Sequence, residues 1–351
     1  MKELIIDNFK IDKNSSTFIV AELSANHNQN YDLAVKSIKS IAKSGADAVK
    51  IQTYTPDTIT LDVRNEYFKI AHKTAWDGKY LYHLYQEAFT PWEWQPNLKR
   101  LAEELGLIFF SSPFDFTAVD FLEEMNIPAY KVASFEITDI PLIEYIASKG
   151  KPVFISTGIA TLDDITEAVS ACKRMNNNEI AILKCTSSYP APLDEINLRV
   201  IPDLHEKFDV CVGLSDHTMG HSVAVASVAL GAKIVEKHFI LDRKLGGPDS
   251  TFSMEPTEFS LMVKSIREAE KALGSVNYEL TEKMKTNRIF ARSLFAVKDI
   301  PTGAEFTAEN IRSIRPGYGL PPKYIQNVLG KKAVKNINKG TPLNWDLIDI
   351  K

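Results

Sequence analysis

The chain has 351 residues, 44% of them hydrophobic and 25% charged, with 41 basic against 45 acidic side chains and a net charge of −4. Without a long basic block, that balance argues against nucleic acid or an anionic membrane surface as a partner. No run approaches the ~18 apolar residues that span a bilayer. The N-terminal MKELIIDNFKIDKN has no signal-peptide core, because Asp7 and Asn8 interrupt it. Three cysteines without paired spacing, Cys172, Cys185 and Cys211, fit a reducing cytoplasm better than a disulfide framework or a zinc site.

A chain of this length is expected to form one large domain and a smaller one. Eight short apolar runs rich in Val, Ile and Phe recur: FIVAELS (18–24), AVKIQTY (48–54), LIFFSSPF (107–114), AYKVASFE (129–136), PVFISTG (152–158), IAILKCTS (180–187), VCVGLSDH (210–217) and KIVEKHF (233–239). Their composition is that of parallel strands covered on both faces. Between most of them lies a segment of helical period. YDLAVKSIKSIAKSGAD (31–47) puts Leu33, Ile38 and Ile41 on one face and stops at Gly45. TLDDITEAVSACKRM (161–175) begins on Thr161, with Asp163 and Asp164 where a helix N-terminus favours acid, and HSVAVASVALGAK (221–233) stops at Gly231. The longer gap after the second strand holds WDGKYLYHLYQEAFTPWEW (76–94), read as an inserted loop plus helix. Eight strand–helix units in roughly 260 residues predict a parallel sheet with right-handed crossovers, closed as an α/β TIM barrel. The competing doubly wound open sheet needs a glycine-rich phosphate loop after its first strand, and ELSANHNQN contains no glycine.

Chemistry on such a barrel lies at the C-terminal ends of the strands. There almost every run turns polar: Glu22, Ser24 and Asn26; Lys50 and Gln52; Ser111 and Ser112; Lys131, Ser134 and Glu136; Ser156 and Thr157; Lys184, Thr186 and Ser187; Ser215, Asp216 and His217; Glu236, Lys237 and His238. Any one polar strand end is explained by its meeting water. Eight of them, opposite largely apolar strand starts, point to a site. Side chains two apart share a strand face, which pairs Glu22 with Ser24, Lys50 with Gln52, Ser215 with His217 and Glu236 with His238. Lys131 and Ser134 share a site only if the strand ends or bulges between them.

His217 and His238 stand 21 residues apart, one strand–helix unit, at matching places on neighbouring strands. Such strands lie about 4.8 Å apart, so the two imidazoles can converge on one divalent cation, with Glu236 orienting a ligand from behind. Open coordination positions suit Mn2+, or else Mg2+ or Co2+, more than a closed structural zinc. Either histidine alone reads as a satisfied core residue, and His27, His72, His83, His205 and His221 read as core or surface. Ser111, Ser112, Ser134, Ser156, Ser187 and Ser215 with Lys50 and Lys131 compose an anion site suited to a phosphate and a carboxylate. Helix capping accounts for several hydroxyls, but not for two lysines in apolar strands.

In their order, FIVAELSANHN, ADAVKIQTY, FSSPF, PAYKVASFE, ISTGIA, LKCTSSYP, VGLSDHT and VEKHF resemble the bacterial sialic acid (nonulosonic acid) synthases over nearly the whole chain. AELSANH and SSPF are nearest the pseudaminic acid branch of that family. AVKDIPTGAEFTAENI (296–311) is echoed by AVKNINKGTPLNWDLI (333–348), an internal repeat resembling the antifreeze-like domain that follows the barrel in these enzymes. The resemblance implies a (β/α)8 TIM barrel over 1–270, a linker over 271–288, and a small antifreeze-like (SAF, β-clip-like) domain over 289–351. It also implies a homodimer with swapped C-terminal domains, in which Arg315 of IRPGYG reaches the other protomer's site and the sugar's N-acetyl group. Read alone, Arg315 is a surface-loop arginine.

The same resemblance implies that phosphoenolpyruvate condenses with a 2,4-diacetamido-2,4,6-trideoxyhexose. It places a divalent metal on His217 and His238, and phosphoenolpyruvate on Lys50, Gln52, Ser112, Lys131, Ser134, Ser156 and Ser215. Ser187 stands where neuraminate synthases often carry asparagine. Glu22, Glu136, Tyr189 and Asp249 fall at the sugar and the reacting centre, with Glu136 handling the proton of the attacking water. Three rivals differ in testable ways. A neuraminate or legionaminate synthase has another sugar pocket, a pyruvate-dependent aldolase releases no phosphate, and a sugar-binding protein on this scaffold has no need of a metal.

Overall fold

The computed structural model describes residues 3–71 and 76–350. Residues up to Gly274 form one compact unit and those from Ser275 a second. The first begins with an antiparallel hairpin, β1 (Leu4–Ile6) and β2 (Phe9–Ile11). Eight strands follow: β3 (Phe18–Glu22), β4 (Ala48–Thr53), β5 (Ile108–Pro113), β6 (Tyr130–Val132), β7 (Val153–Ser156), β8 (Ile180–Cys185), β9 (Cys211–Asp216) and β10 (Ile234–His238). They pair in parallel in sequence order, and β10 returns to β3 in the register Ile234↔Phe18 through His238↔Glu22, so the barrel closes. Every apolar run of the sequence supplies one stave.

Both strand faces are apolar because both are covered. Outward residues such as Ile19, Val49, Val132, Ile155, Ile182, Val212 and Val235 pack beneath the helices. Inward residues, among them Phe18, Val20, Phe110, Phe154, Leu183 and Ile234, fill the lumen. Burying each such side chain stabilises by about 1.5–3 kcal/mol. Gly213 is the small member of this packing: a Cβ there would lie 2.5 Å from the Ile234 carbonyl oxygen and 2.6 Å from the Leu183 side chain. The hairpin contributes Leu4, Ile6 and Ile11 to the lumen cluster. Asp7 and Asn8, which look like a break in an apolar run, are its turn, with Asp7 at φ 55°.

The helix Tyr31–Lys43 buries Ala34, Ser37, Ile38 and Ile41, while Leu33 is only half-buried. Its inner face is therefore rotated from the one its leucine suggests. The helix Leu162–Arg174 opens on a reciprocal cap: the Asp164 amide donates to Thr161 Oγ1 at 3.2 Å and the Thr161 amide to Asp164 Oδ2 at 2.8 Å. The insertion between β4 and β5 carries the helix Leu81–Ala88.

The second unit contains β11 (Ser293–Ala296) and β12 (Ile311–Ile314), antiparallel, over a core that includes Leu294, Phe306, Ile311, Val328 and Leu343. The sequence repeat is a structural one. Ile300 and Ile337 hold equivalent places in the two copies and exchange backbone hydrogen bonds at 2.8 and 2.9 Å. Ala296 pairs with Ile311 in one copy as Ala333 pairs with Ile348 in the other. Among the described residues no helix is long and apolar enough to cross a membrane.

Candidate active site

Towards the C-terminal ends of the strands the inward side chains become charged. Glu22 (1% exposed), Lys50 (3%), Lys131 (2%) and Glu236 (5%) are buried together. Lys50 Nζ lies 2.7 Å from Glu22 Oε2 and 3.5 Å from Glu236 Oε1, and Lys131 Nζ donates to both oxygens of Glu236 at 2.9 Å. Two acids and two bases cancel, as buried charge requires. Gln52 Nε2 donates to Glu22 Oε1 at 3.1 Å and Ser24 Oγ at 3.0 Å, Lys50 to Ser112 Oγ at 3.3 Å, and Ser215 to Glu236 Oε1 at 3.4 Å. Burial raises both carboxyls. It prevails at Glu22, whereas Lys131 and Lys50 outweigh it at Glu236 and hold that group down at about 2. Burial also draws Lys131 below the usual lysine range, while at Lys50 the two carboxylates overcome it and hold the ammonium up.

Strand β6 stops at Val132, and a turn of 3-10 helix, Ser134–Glu136, follows. That break lets Ser134 enter the site in spite of its parity with Lys131; its hydroxyl accepts the Gly158 N–H at 3.2 Å. The buried hydroxyls of Ser156 and Ser187 have no hydrogen-bond partner. A Cβ on Gly158 would fall 1.9 Å from Ser187 Oγ and 2.6 Å from Ser134 Oγ, so the absent side chain keeps open the space between these hydroxyls. An unsatisfied buried hydroxyl costs about 1–3 kcal/mol, and a ligand with acceptor oxygens would remove that cost.

His217 follows β9 and His238 ends β10. Their rings lie 5.3 Å apart between centroids. His217 Nδ1 is 3.1 Å from the Thr186 carbonyl oxygen, which can only accept, so Nδ1 carries a proton and Nε2 is the nitrogen left for a ligand when the ring is neutral. Burial lowers His217, but the neighbouring Cys185 thiol outweighs it and holds the imidazole up; the thiol, 3.7 Å away, is drawn down to about 7 against its own burial. His238 Nδ1 is buried without a hydrogen-bond partner, 4.0 Å from Asp249 Oδ2. Burial, together with His217, Lys50 and Lys131, holds His238 well below the usual histidine range. Tyr189 packs on His217 at 4.5 Å and on Phe252 at 5.0 Å, and Phe252 on His238 at 5.0 Å, closing a square of four rings. The orphaned imidazole nitrogen beside a second imidazole fits a divalent cation of borderline softness. Among the described residues no three His, Cys, Asp or Glu side chains gather to enclose one by themselves, so such an ion would keep positions open for oxygen ligands.

A cavity of about 570 Å³ adjoins these groups, within the range of small-molecule sites. Gln52, Ser134, Glu136, His238 and Asp249 give it polar walls, and Tyr54, Tyr85, Trp76, Tyr189 and Phe252 aromatic ones. Burial pushes Glu136 up to about 7, and its Oε2 has no hydrogen-bond partner. Burial likewise raises Asp249, against the Ser24 hydroxyl and the Ala25 amide that favour its charged form. The insertion between β4 and β5 supplies much of the aromatic wall, tied down where Trp76 Nε1 donates to the Pro248 carbonyl at 2.8 Å.

Several strand-end residues expected at the site face elsewhere. Glu236 stays within the site, but it clamps Lys131 and does not orient a histidine. Ser111 turns outward to Thr53 Oγ1 (2.6 Å) and the Ile51 carbonyl (3.0 Å), and Thr157 to the Leu183 carbonyl (3.3 Å). Lys184 bends back onto the Cys185 carbonyl, and Lys237 pairs with Asp216 on the outer face. Asn26 is a core residue bonded to the Phe239 carbonyl and Ser253 Oγ, as is His27 with Thr90 Oγ1. His72 lies outside the described residues. Arg315 is exposed in the second unit. Sequence reasoning passed over Gly158, Tyr54, Tyr85, Trp76 and Phe252 as site residues; the aromatic density of the insertion was a visible sign of Tyr85 and Trp76.

Fold and site together define a TIM-barrel enzyme with buried lysines and unbonded hydroxyls at the mouth of the barrel. Residues 37–278 match the NeuB family and residues 291–349 the SAF domain. The chain is 48% identical over 338 residues to a pseudaminic acid synthase of Campylobacter jejuni, covering 96% of this chain and 98% of that one. It is 47% identical over 332 residues to the pseudaminic acid synthase of Helicobacter pylori, covering 94% and 97%. Among solved structures, the N-acetylneuraminic acid (sialic acid) synthetase of Leptospira borgpetersenii superposes with a TM-score of 0.73 at 31% identity, covering 82% of this chain and 95% of that one. The chain belongs to the NeuB family, the sialic acid synthases whose motifs its sequence resembles.

Proposed function

We propose that the protein is a pseudaminic acid synthase. It condenses phosphoenolpyruvate with 2,4-diacetamido-2,4,6-trideoxy-L-altrose and water, giving pseudaminic acid and phosphate. The observation that carries this reading is the placing of two buried ammonium groups, Lys50 and Lys131, and the unbonded hydroxyls of Ser156 and Ser187 beside the paired imidazoles of His217 and His238. Identity of 47–48% to pseudaminic acid synthases, against 31% to a neuraminate synthetase, supports the choice of acceptor.

In this reading Lys50, Lys131, Gln52, Ser112, Ser134, Ser156, Ser187 and Ser215 hold the phosphate and carboxylate of phosphoenolpyruvate. These donors are already withdrawn from water, so they stabilise charge without reorganising. Carbon 3 of the enol phosphate bonds to the aldehyde carbon of the open-chain sugar. His217 and His238 would hold a divalent cation, Mn2+ or an ion like it, which would supply Lewis-acid polarisation of the aldehyde oxygen. Carbon–carbon bond formation leaves an oxocarbenium centre at carbon 2 and a sugar alkoxide. Water adds at carbon 2, Glu136 takes one of its protons and returns it to the alkoxide, and the other goes to phosphate as the bond from carbon 2 to the phosphate oxygen breaks. Glu22 remains the counter-ion of Lys50. Tyr189 and Asp249 face the sugar, whose methyl and acetamido groups suit the aromatic walls.

The rim of the barrel mouth supports a swapped homodimer. The loops after five consecutive strands expose Phe116, Phe135, Leu162, Leu193 and Met219, and exposed apolar clusters mark interaction surfaces. In the proposed assembly the C-terminal unit of one protomer brings Arg315 to the site of the other. The three free, buried cysteines suit a cytoplasmic enzyme. The test is to incubate the protein with phosphoenolpyruvate and a panel of 2-acetamido and 2,4-diacetamido hexoses, and to identify products by mass and NMR. Pseudaminic acid from the altro acceptor supports the assignment. A product from N-acetylmannosamine or the legionaminate precursor alone would move the protein to those branches.

A further inference from the structure

Lys237, the residue before His238, points to the outer face of the barrel. Its ammonium donates to Asp216 Oδ2 and to the Thr218 carbonyl, both at 2.6 Å. Asp216 and Thr218 are the two neighbours of His217 in the chain. Asp216 Oδ1 accepts in turn from the Thr218 amide at 2.9 Å and the Thr218 hydroxyl at 2.8 Å. Asp216 and Lys237 are direct partners in the register of β9 and β10, and all three residues are buried. One ammonium group therefore grips the chain on both sides of one histidine while being covalently next to the other.

Packing alone gives no reason for this pair. On the same outer face Leu214 and Val235 are apolar and covered, and an apolar pair of similar volume is commonly as stable as a buried ion pair. The β9 ladder ends at Asp216. Beyond it, the His217 backbone is held by the Ala191 amide on its carbonyl at 3.0 Å and by the Asp216–Lys237–Thr218 cluster.

We infer that Asp216 and Lys237 are positioning residues that set the separation and orientation of the His217 and His238 imidazoles for a divalent cation. The inference rests on the metal reading of those histidines. Its test uses metal-stripped full-length protein and Mn2+ alone, with free Mn2+ followed by electron paramagnetic resonance and folding by circular dichroism. Lys237→Met should weaken the Mn2+ Kd about ten- to hundredfold, the usual effect of losing an outer-shell partner. Asp216→Asn/Lys237→Met leaves no unpaired buried charge, keeps an oxygen for the Thr218 amide, and should be weakened alike; it decides the matter if the single variant does not fold. Lys233→Met, which loses a bond to the Ser15 carbonyl at the other end of the same strand, should bind Mn2+ as wild type does. Folded Lys237 variants with wild-type Mn2+ affinity would overturn the inference, as would equal weakening in Lys233→Met. A wild-type protein that takes up no Mn2+ is a separate outcome, and it removes the metal reading itself.

Discussion

Lys131 Nζ lies 2.9 Å from both carboxylate oxygens of Glu236, although β6 and β10 stand on opposite sides of the eight-stranded barrel. The Lys131–Glu236 pair thus spans the lumen above the apolar filling that the hairpin completes. In the proposed reaction this ammonium would also take the phosphate, which would then share Lys131 with Glu236.

Removing one partner of a buried ion pair commonly costs about 3–5 kcal/mol. Lys131→Met should fall at or below the low end of that range, because Lys50 still stands 3.5 Å from Glu236. Lys131→Met/Glu236→Gln should recover most of the lost stability in urea unfolding and none of the phosphate release. Recovery of turnover in the double variant would show that Lys131 is only a counter-ion.

Glu136 titrates near pH 7, raised from 4.5 chiefly by burial. As the base for water it must be ionised, so kcat should fall as pH drops below about 7, and Glu136→Gln should lower kcat by about 10²–10⁴ and lose that limb. Stability moves oppositely. The folded protein binds this proton more tightly than the unfolded chain, so its contribution is complete below pH 4.5 and is lost as pH rises through 7. Glu136→Gln should therefore gain up to roughly 3 kcal/mol relative to wild type at pH 8 and little at pH 4. Thermal melts at the two pH values check the sign.

Gly158 has room for no Cβ between Ser134 and Ser187. Gly158→Ala should leave the melting temperature close to wild type, since the atoms it displaces belong to the Ser134 and Ser187 side chains and not to the backbone. It should lower kcat/KM for phosphoenolpyruvate by about 10²-fold, the effect of an ångström of misplacement, while the acceptor KM changes less. Equal effects on both substrates would place the phosphate elsewhere.

In a swapped dimer, Arg315→Ala and His217→Ala damage different parts of each composite site. Arg315→Ala should raise the acceptor KM more than that of phosphoenolpyruvate. After subunit exchange, a mixture of the two variants should turn over at acceptor concentrations too low for Arg315→Ala alone, because half the sites in a mixed dimer are intact. No complementation would contradict the swap.

The barrel was legible because strands covered on both faces read as unbroken apolar runs, and side-chain parity paired Lys50 with Gln52 and Glu236 with His238. Parity could not say which set faces inward where strands fray, and so Ser111, Thr157 and Lys237 looked like site residues while packing outward. The Lys131–Glu236 bridge joins positions 105 apart across the lumen, a relation no local pattern carries. The insertion was legible as a loop plus helix, but not the cavity that its aromatic residues line. Asp7 and Asn8 looked like an interruption because turn and break have the same composition.

The most direct test of the account measures phosphate release and nonulosonate formation together, from phosphoenolpyruvate and the altro acceptor, in chelator-treated protein titrated with Mn2+. The expected result is one phosphate per sugar product, no turnover without metal, and none at any Mn2+ concentration in His217→Ala or His238→Ala. Full turnover in metal-free buffer, or a product formed without phosphate, would contradict it.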